Sequence, residues 1–221
     1  MKNATILLII LALTPAHASA SYIQLIPSLS INDIVSEDTV TIPATIVNNG
    51  DESAYNVQMT LLLPDGFTSK NIFMREIKPG EKKEGVFTLE IPADTPPGTY
   101  VLALLTHYAD ANEYPLSSIN SAILNYKTST SSAVTGYMGT TELGREPVTL
   151  NITLRNREEK PHDITLKLLL PDELQTNQIT TKATIEPNQE QQIQATITPT
   201  GALPGSTYPI IATSSYTEEV S

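Results

Sequence analysis

Val40–Phe67 reads VTIPATIVNNGDESAYNVQMTLLLPDGF, and Val148–Leu174 reads VTLNITLRNREEKPHDITLKLLLPDEL. The two stretches are one pattern written twice. In the first, Val40, Ile42, Ala44 and Ile46 alternate with polar residues, and Val148, Leu150, Ile152 and Leu154 repeat the alternation in the second. A period of two places every apolar side chain on one face of an extended strand. A polar turn follows each, at Asn48-Asn49-Gly50-Asp51 and at Asn156-Arg157-Glu158-Glu159. A second alternating run comes next, Val57, Met59, Leu61 and Leu63 against Ile164, Leu166, Leu168 and Leu170. Both runs stop at the same Leu-Pro-Asp, where proline has no N–H to donate to a ladder.

The correspondence extends outward in both directions. Ile77-Lys78-Pro79-Gly80-Glu81 matches Ile185-Glu186-Pro187-Asn188-Gln189, a proline turn before the next strand. Phe87, Leu89 and Ile91 match Ile193, Ala195 and Ile197. Pro97-Gly98-Thr99-Tyr100 matches Pro204-Gly205-Ser206-Thr207-Tyr208, and a strand follows each tyrosine, reaching Tyr108 and Tyr216. No helical period occurs after residue 20. Short strands with regular turn signals predict an all-β chain of two tandem Ig-like antiparallel β-sandwich domains. Tyr100 and Tyr208, each opening a late strand after Pro-Gly, are placed as structural corner tyrosines of such a fold. With no tryptophan and no cysteine, an antibody-type domain is excluded.

The expected organisation is a signal peptide over 1–20, a first sandwich over 21–127, a Ser/Thr-rich flexible linker over 128–132 (within KTSTSS, Lys127 to Ser132) and a second sandwich over 133–221. Lys2, the small and apolar run from Ala4 to Leu13, Pro15 and Ala18-Ser19-Ala20 form the three regions of a secretion signal cleaved near Ala20. The mature chain is expected to begin near Ser21 and to be secreted or held at the cell surface. The apolar run is shorter than the ~20 residues a bilayer span needs, and no longer one follows.

The copies differ at their ends. The first has room after Tyr108 for a further strand, Tyr114 to Tyr126, whose Leu116, Ile119, Ala122, Ile123 and Leu124 are expected to cover the core edge. The second is expected to lack this last strand. The strand is then supplied either by chain beyond Ser221 or by a partner adding to the open edge of domain 2.

Charge and composition narrow the function. Asp and Glu outnumber Lys and Arg by 24 to 13, giving a net charge of −11. That excess disfavours nucleic acid, which binds clustered cations, and anionic membrane surfaces. Without cysteine there is no lipid-anchor cysteine, disulfide, thiolate metal site or thiol nucleophile.

The run from Val47 to Phe67, the Ile77-to-Glu81 turn and IPADTPPGTY from Ile91 to Tyr100 together resemble the CARDB-like and α-galactosidase-associated Ig-like domains. Tandem arrays of this kind occur in archaeal S-layer-domain-like surface proteins. The second copy departs from the pattern at Arg157 and Glu158, where the Asn-Gly turn is lost. The resemblance implies extracellular modules placed in series on surface proteins or beside enzymes, with no catalytic residues and no cofactor.

The residues themselves offer few sites. His107 and His162 fall in different copies, and neither neighbours a serine nucleophile or a second ligand at metal spacing. Asp110, Asn112 and Glu113 are the candidate calcium ligands, in a hairpin loop, although calcium needs six or more oxygens. Asp33, Glu37 and Asp38 form a second acidic cluster, read as solvated. Asn151-Ile152-Thr153 is a candidate N-glycosylation site on an outward strand position. Three functional classes follow. The first is a structural or adhesion module that binds a protein or a cell-surface glycan. The second is a periplasmic-type chaperone or assembly subunit acting by strand addition, against which stands the absence of Lys and Arg from residues 21 to 35. The third is an accessory carbohydrate-binding module.

Overall fold

The structure, a computed structural model, describes residues 22–128, 132–202 and 208–216. The proposed signal peptide and the Pro204-Gly205 corner lie outside them. Fifteen strands fall among the described residues, all pairings between named strands are antiparallel, and no helix is long and apolar enough to cross a membrane.

The first sandwich packs two four-stranded sheets. One has the order β1-β2-β6-β4, from β1 (Leu25–Leu29), β2 (Thr39–Asn48), β4 (Thr68–Ser69) and β6 (Lys82–Glu90). The other has the order β5-β3-β7-β8, from β3 (Ala54–Leu62), β5 (Ile72–Ile77), β7 (Gly98–Ala109) and β8 (Pro115–Tyr126). The inward positions predicted from the period of two are buried: Ile42, Ala44, Ile46, Val57, Met59, Phe87 and Leu89 are fully closed off. Each such aliphatic or aromatic side chain contributes roughly 1.5–3 kcal/mol when buried.

The second sandwich repeats the plan. Its β9 (Val134–Met138), β10 (Val148–Asn156), β12 (Leu174–Thr176) and β14 (Glu190–Pro199) form a sheet of order β12-β14-β10-β9. This is the order of the first sandwich with each strand replaced by its counterpart. The facing sheet has the order β13-β11-β15, from β11 (His162–Leu169), β13 (Thr180–Ile185) and β15 (Ile211–Ser215). Among the described residues, no strand takes the place that β8 holds in the first sandwich.

The expectation for β8 needs correction. Only Leu124, with Tyr126, joins the first core; both are fully buried. Ile123 is 61% exposed, and Ile119 turns away from that core into a separate cluster that spans both sandwiches. A strand with one face against its own core has its alternate residues on the other face, and here that face meets the second domain.

Candidate functional site

Two features common to both copies set the local frame. Asn48 and Asn156 end β2 and β10 and are fully buried. Asn48 Nδ2 donates to the carbonyls of Glu52 (2.7 Å) and Ile77 (3.1 Å), and its Oδ1 accepts from Gly50 N at 3.0 Å. Asn156 Nδ2 donates to the carbonyls of Lys160 (2.7 Å) and Ile185 (3.1 Å), and its Oδ1 accepts from Glu158 N at 2.9 Å. One carboxamide in each copy thus satisfies backbone groups of a turn and of the neighbouring sheet. The turn survives the loss of Asn-Gly in the second copy because the first asparagine holds it. Gly50 itself is needed for a different reason: a Cβ there would lie 2.3 Å from the Tyr22 carbonyl, where the chain before β1 crosses the turn.

The Leu-Pro-Asp turns also match. Phe67 N donates to Pro64 O at 3.2 Å, and Leu174 N to Pro171 O at 3.1 Å. They differ at one position. Gly66, at φ +84°, sits where the second copy has Glu173. That glutamate builds the junction between the sandwiches. It is 5% exposed, and its carboxylate accepts from Ser117 N and from Ser117 Oγ, both at 2.6 Å. The Ser117 hydroxyl in turn accepts from Asp172 N at 3.0 Å. Ser117 lies on β8, the edge strand, so the carboxylate caps a backbone donor that would otherwise be open.

Around this pair, Ala103, Leu105 and Ile119 are buried against Leu62 of the first sandwich and Leu169 and Ile211 of the second. Tyr114 Oη donates to Gly201 O at 3.3 Å. His107 Nε2 lies 3.0 Å from Asp172 Oδ2 without hydrogen-bond alignment, so the contact is an ion pair when the imidazole is protonated. Burial, then the charges of Glu173 and Tyr208, push the Tyr108 phenol up to about 12. Nothing in the sequence pattern singled out Glu173 or Ser117. The available signal was the one-residue difference between LPDGF and LPDEL.

Other parts of the β8 edge are covered from within the first sandwich. Asn120 Nδ2 donates to Pro27 O at 2.8 Å, Val35 N to Asn125 O at 2.9 Å, and Lys127 N to Val35 O at 2.7 Å. Asp38, read from sequence as part of a solvated cluster, accepts from Tyr126 Oη at 2.5 Å and from Lys127 Nζ at 3.3 Å. The Tyr126 bond, then Lys127, hold its carboxyl below the usual range. Lys127, assigned to the linker's approach, is therefore anchored to the first sandwich; residues 129–131 lie outside the described residues.

Tyr100 is half-buried, and its hydroxyl donates to Pro96 O at 2.7 Å while its ring lies 5.2 Å from that of Phe67. Tyr208 is half-buried against the second core. In the loop proposed for calcium, Asp110 Oδ1 accepts from the backbone N–H groups of Asn112 and Tyr114, each at 2.8 Å. The Tyr114 bond is the main cause holding the Asp110 carboxyl low. The same loop has Glu113 at φ 64°. Among the described residues, no three acidic or histidine side chains converge as a metal site. His162 is 3% exposed, its ring lies 4.5 Å from that of Tyr216 at a tilt of 57°, and its Nε2 meets Glu158 Oε2 at 3.0 Å. Asn151 is exposed, with its Oδ1 accepting from Gln194 Nε2 at 3.0 Å.

Residues 34–108 match the family described as the NPCBM-associated, NEW3 domain of alpha-galactosidase. The matched stretch lies within the first sandwich, which is thus similar to that domain. Among solved structures, the chain is similar to a protein of unknown function from Porphyromonas gingivalis W83 (16% identity, 79% of this chain and 83% of that chain, TM-score 0.33). It is also similar to the red sea bream transglutaminase (12% identity, 90% of this chain and 29% of that chain, TM-score 0.30). A third is the YadV chaperone (10% identity, 87% of this chain and 99% of that chain, TM-score 0.32). No curated protein matches the sequence.

Proposed function

We propose that the chain is a non-catalytic module of the cell surface or extracellular space, exported behind residues 1–20, whose two sandwiches act as a spacer of fixed geometry with binding surfaces on its faces and edges. The observation that carries this reading is the junction. A buried carboxylate is bonded twice to Ser117 beside an apolar cluster shared by both sandwiches, so parting the domains would break both bonds and expose the cluster to water. The resemblance to tandem surface-protein domains supports a place in such an array. Small-angle scattering on the chain beginning at Ser21 tests it. A profile fitted by one conformer, broadening in Glu173→Ala, is expected; a wild-type profile of two freely turning bodies would overturn the spacer.

A second reading, strand addition, is favoured by the three-stranded sheet of the second sandwich. Among the described residues β15 has a strand neighbour, β11, on one side only, where its counterpart β7 lies between β3 and β8. The strand that fits there has the chemistry of β8: extended, antiparallel, with apolar residues alternating inward. A labelled peptide with the sequence of residues 115–126 should bind the full chain saturably, and Ser214→Pro, which removes an N–H facing the open edge, should abolish it. Absence of binding to the wild-type chain excludes this reading.

A further inference from the structure

The outer face of the sheet β12-β14-β10-β9 differs from its counterpart in the first sandwich. On β10, Leu150, Ile152 and Leu154 are buried, so Thr149, Asn151 and Thr153 point outward. On β14, Ile193, Ala195 and Ile197 are buried, and Gln192, Gln194 and Thr196 point outward. The register sets these side by side: Thr149 beside Thr196, Asn151 beside Gln194, Thr153 beside Gln192. On the other side of Thr153, the edge strand β9 presents Tyr137, 66% exposed. The charged pair at the end of this face, Arg155 and Glu190, is self-compensated at 3.6 Å. In the first sandwich the outward positions of β6 include Lys82, Glu84, Val86 and Glu90.

We propose that this face is a binding site for an uncharged polysaccharide. The proposal rests on the reading of the chain as an exported binding module and names the ligand class. In a chain with 24 acids against 13 bases, three aligned rows without a charge are suited to a ligand that carries none. Nucleic acid and anionic lipid need cations that are missing from these rows. A protein partner would seat on aromatic or aliphatic anchors in a desolvated pocket, and one peripheral tyrosine among hydroxyls and amides is not that surface. Sugar rings have both things this face offers a partner for: an apolar C–H face, which stacks on the Tyr137 ring, and hydroxyls that donate and accept. The Gln194-to-Asn151 bond holds the two amides in one orientation and uses the Asn151 acceptor. The Asn151 N–H groups and the Gln194 carbonyl oxygen are left for vicinal hydroxyls. From strand spacing and rise, the patch is about 10 Å by 14 Å, the footprint of a short oligosaccharide.

Asn151 is also the candidate glycosylation site, and a sugar attached there would occupy the same face. The test therefore uses the full chain prepared without N-linked sugar, run through native gels containing laminarin, hydroxyethylcellulose or mannan, with polygalacturonate as the charged control. Retardation by at least one neutral polymer and not by the control is expected. Tyr137→Ala and Gln192→Glu should each weaken it at least tenfold while leaving the melting temperature within error of wild type. No retardation by any neutral polymer, or retardation that both variants retain, overturns the site. Scattering reads the fixed-spacing role independently, so either proposal fails without the other.

Discussion

Asn48 and Asn156 show how a single side chain carries a repeat. Each is buried at the end of a strand and bonds to the turn that follows and to the strand across the sandwich. Truncation removes these bonds and strands carbonyls away from water. Asn48→Ala and Asn156→Ala should therefore each lower the denaturation free energy by about 2 kcal/mol, read from the midpoint at unchanged slope. Tyr108 offers a second test at this scale. Its phenol is raised from an ordinary value near 10 to about 12 in the fold. The folded state then holds a proton that the unfolded chain has lost. Stability from this group is complete below pH 10 and disappears as pH rises through 12, on the order of 2 kcal/mol in all. Melts across that range should show a steeper alkaline decline in wild type than in Tyr108→Phe. Equal declines would mean that the phenol titrates as if exposed.

At the level of the element, β8 is an edge strand whose outer side is covered at both ends. Val35 covers one end, Asn120 ties the middle to β1, and Glu173 of the second sandwich caps Ser117 at the other end. Edge strands left open recruit other chains, so such covers are a common protection. Glu173→Ala uncaps one backbone donor and one hydroxyl in a partly dry site. The Ser117 amide should then exchange with solvent at least tenfold faster, while amides of β2 and β6 keep their rates. Unchanged Ser117 exchange would show that the carboxylate contributes nothing to closing the edge.

For the whole molecule, coupling between the sandwiches is the measurable consequence of the junction. Two domains joined only by a linker unfold independently, whereas domains sharing buried surface stabilise one another. Calorimetry on the chain from Ser21 should give overlapping transitions that separate in Glu173→Ala, with the second sandwich melting lower. Two well-resolved transitions already present in wild type would place the coupling near zero. N-terminal sequencing of exported material, expected to begin near Ser21, checks the compartment on which the surface role depends.

The alternation of Val40 to Ile46 and of Val148 to Leu154, repeated with the same turns between, pointed to two sandwiches, because a strand with one apolar face has to bury it against a second sheet. Tyr100 was legible for the same kind of reason: its local sequence, Pro-Gly before a strand, dictates a local bond, here to Pro96. The asparagines were visible as turn residues but not as pins, since their partners at Ile77 and Ile185 are 29 residues away in sequence. Ile119 was assigned to the wrong core because alternation says that successive residues face opposite ways and not what lies on each side. Glu173 and Ser117 are 56 residues apart, and the row of Tyr137, Thr153 and Gln192 spans three strands. Local pattern determined the strands and turns of this protein. Register and the packing of one sandwich on the other decided its junction and its neutral face, because both are made by residues whose nearness depends on strand order and not on chain distance.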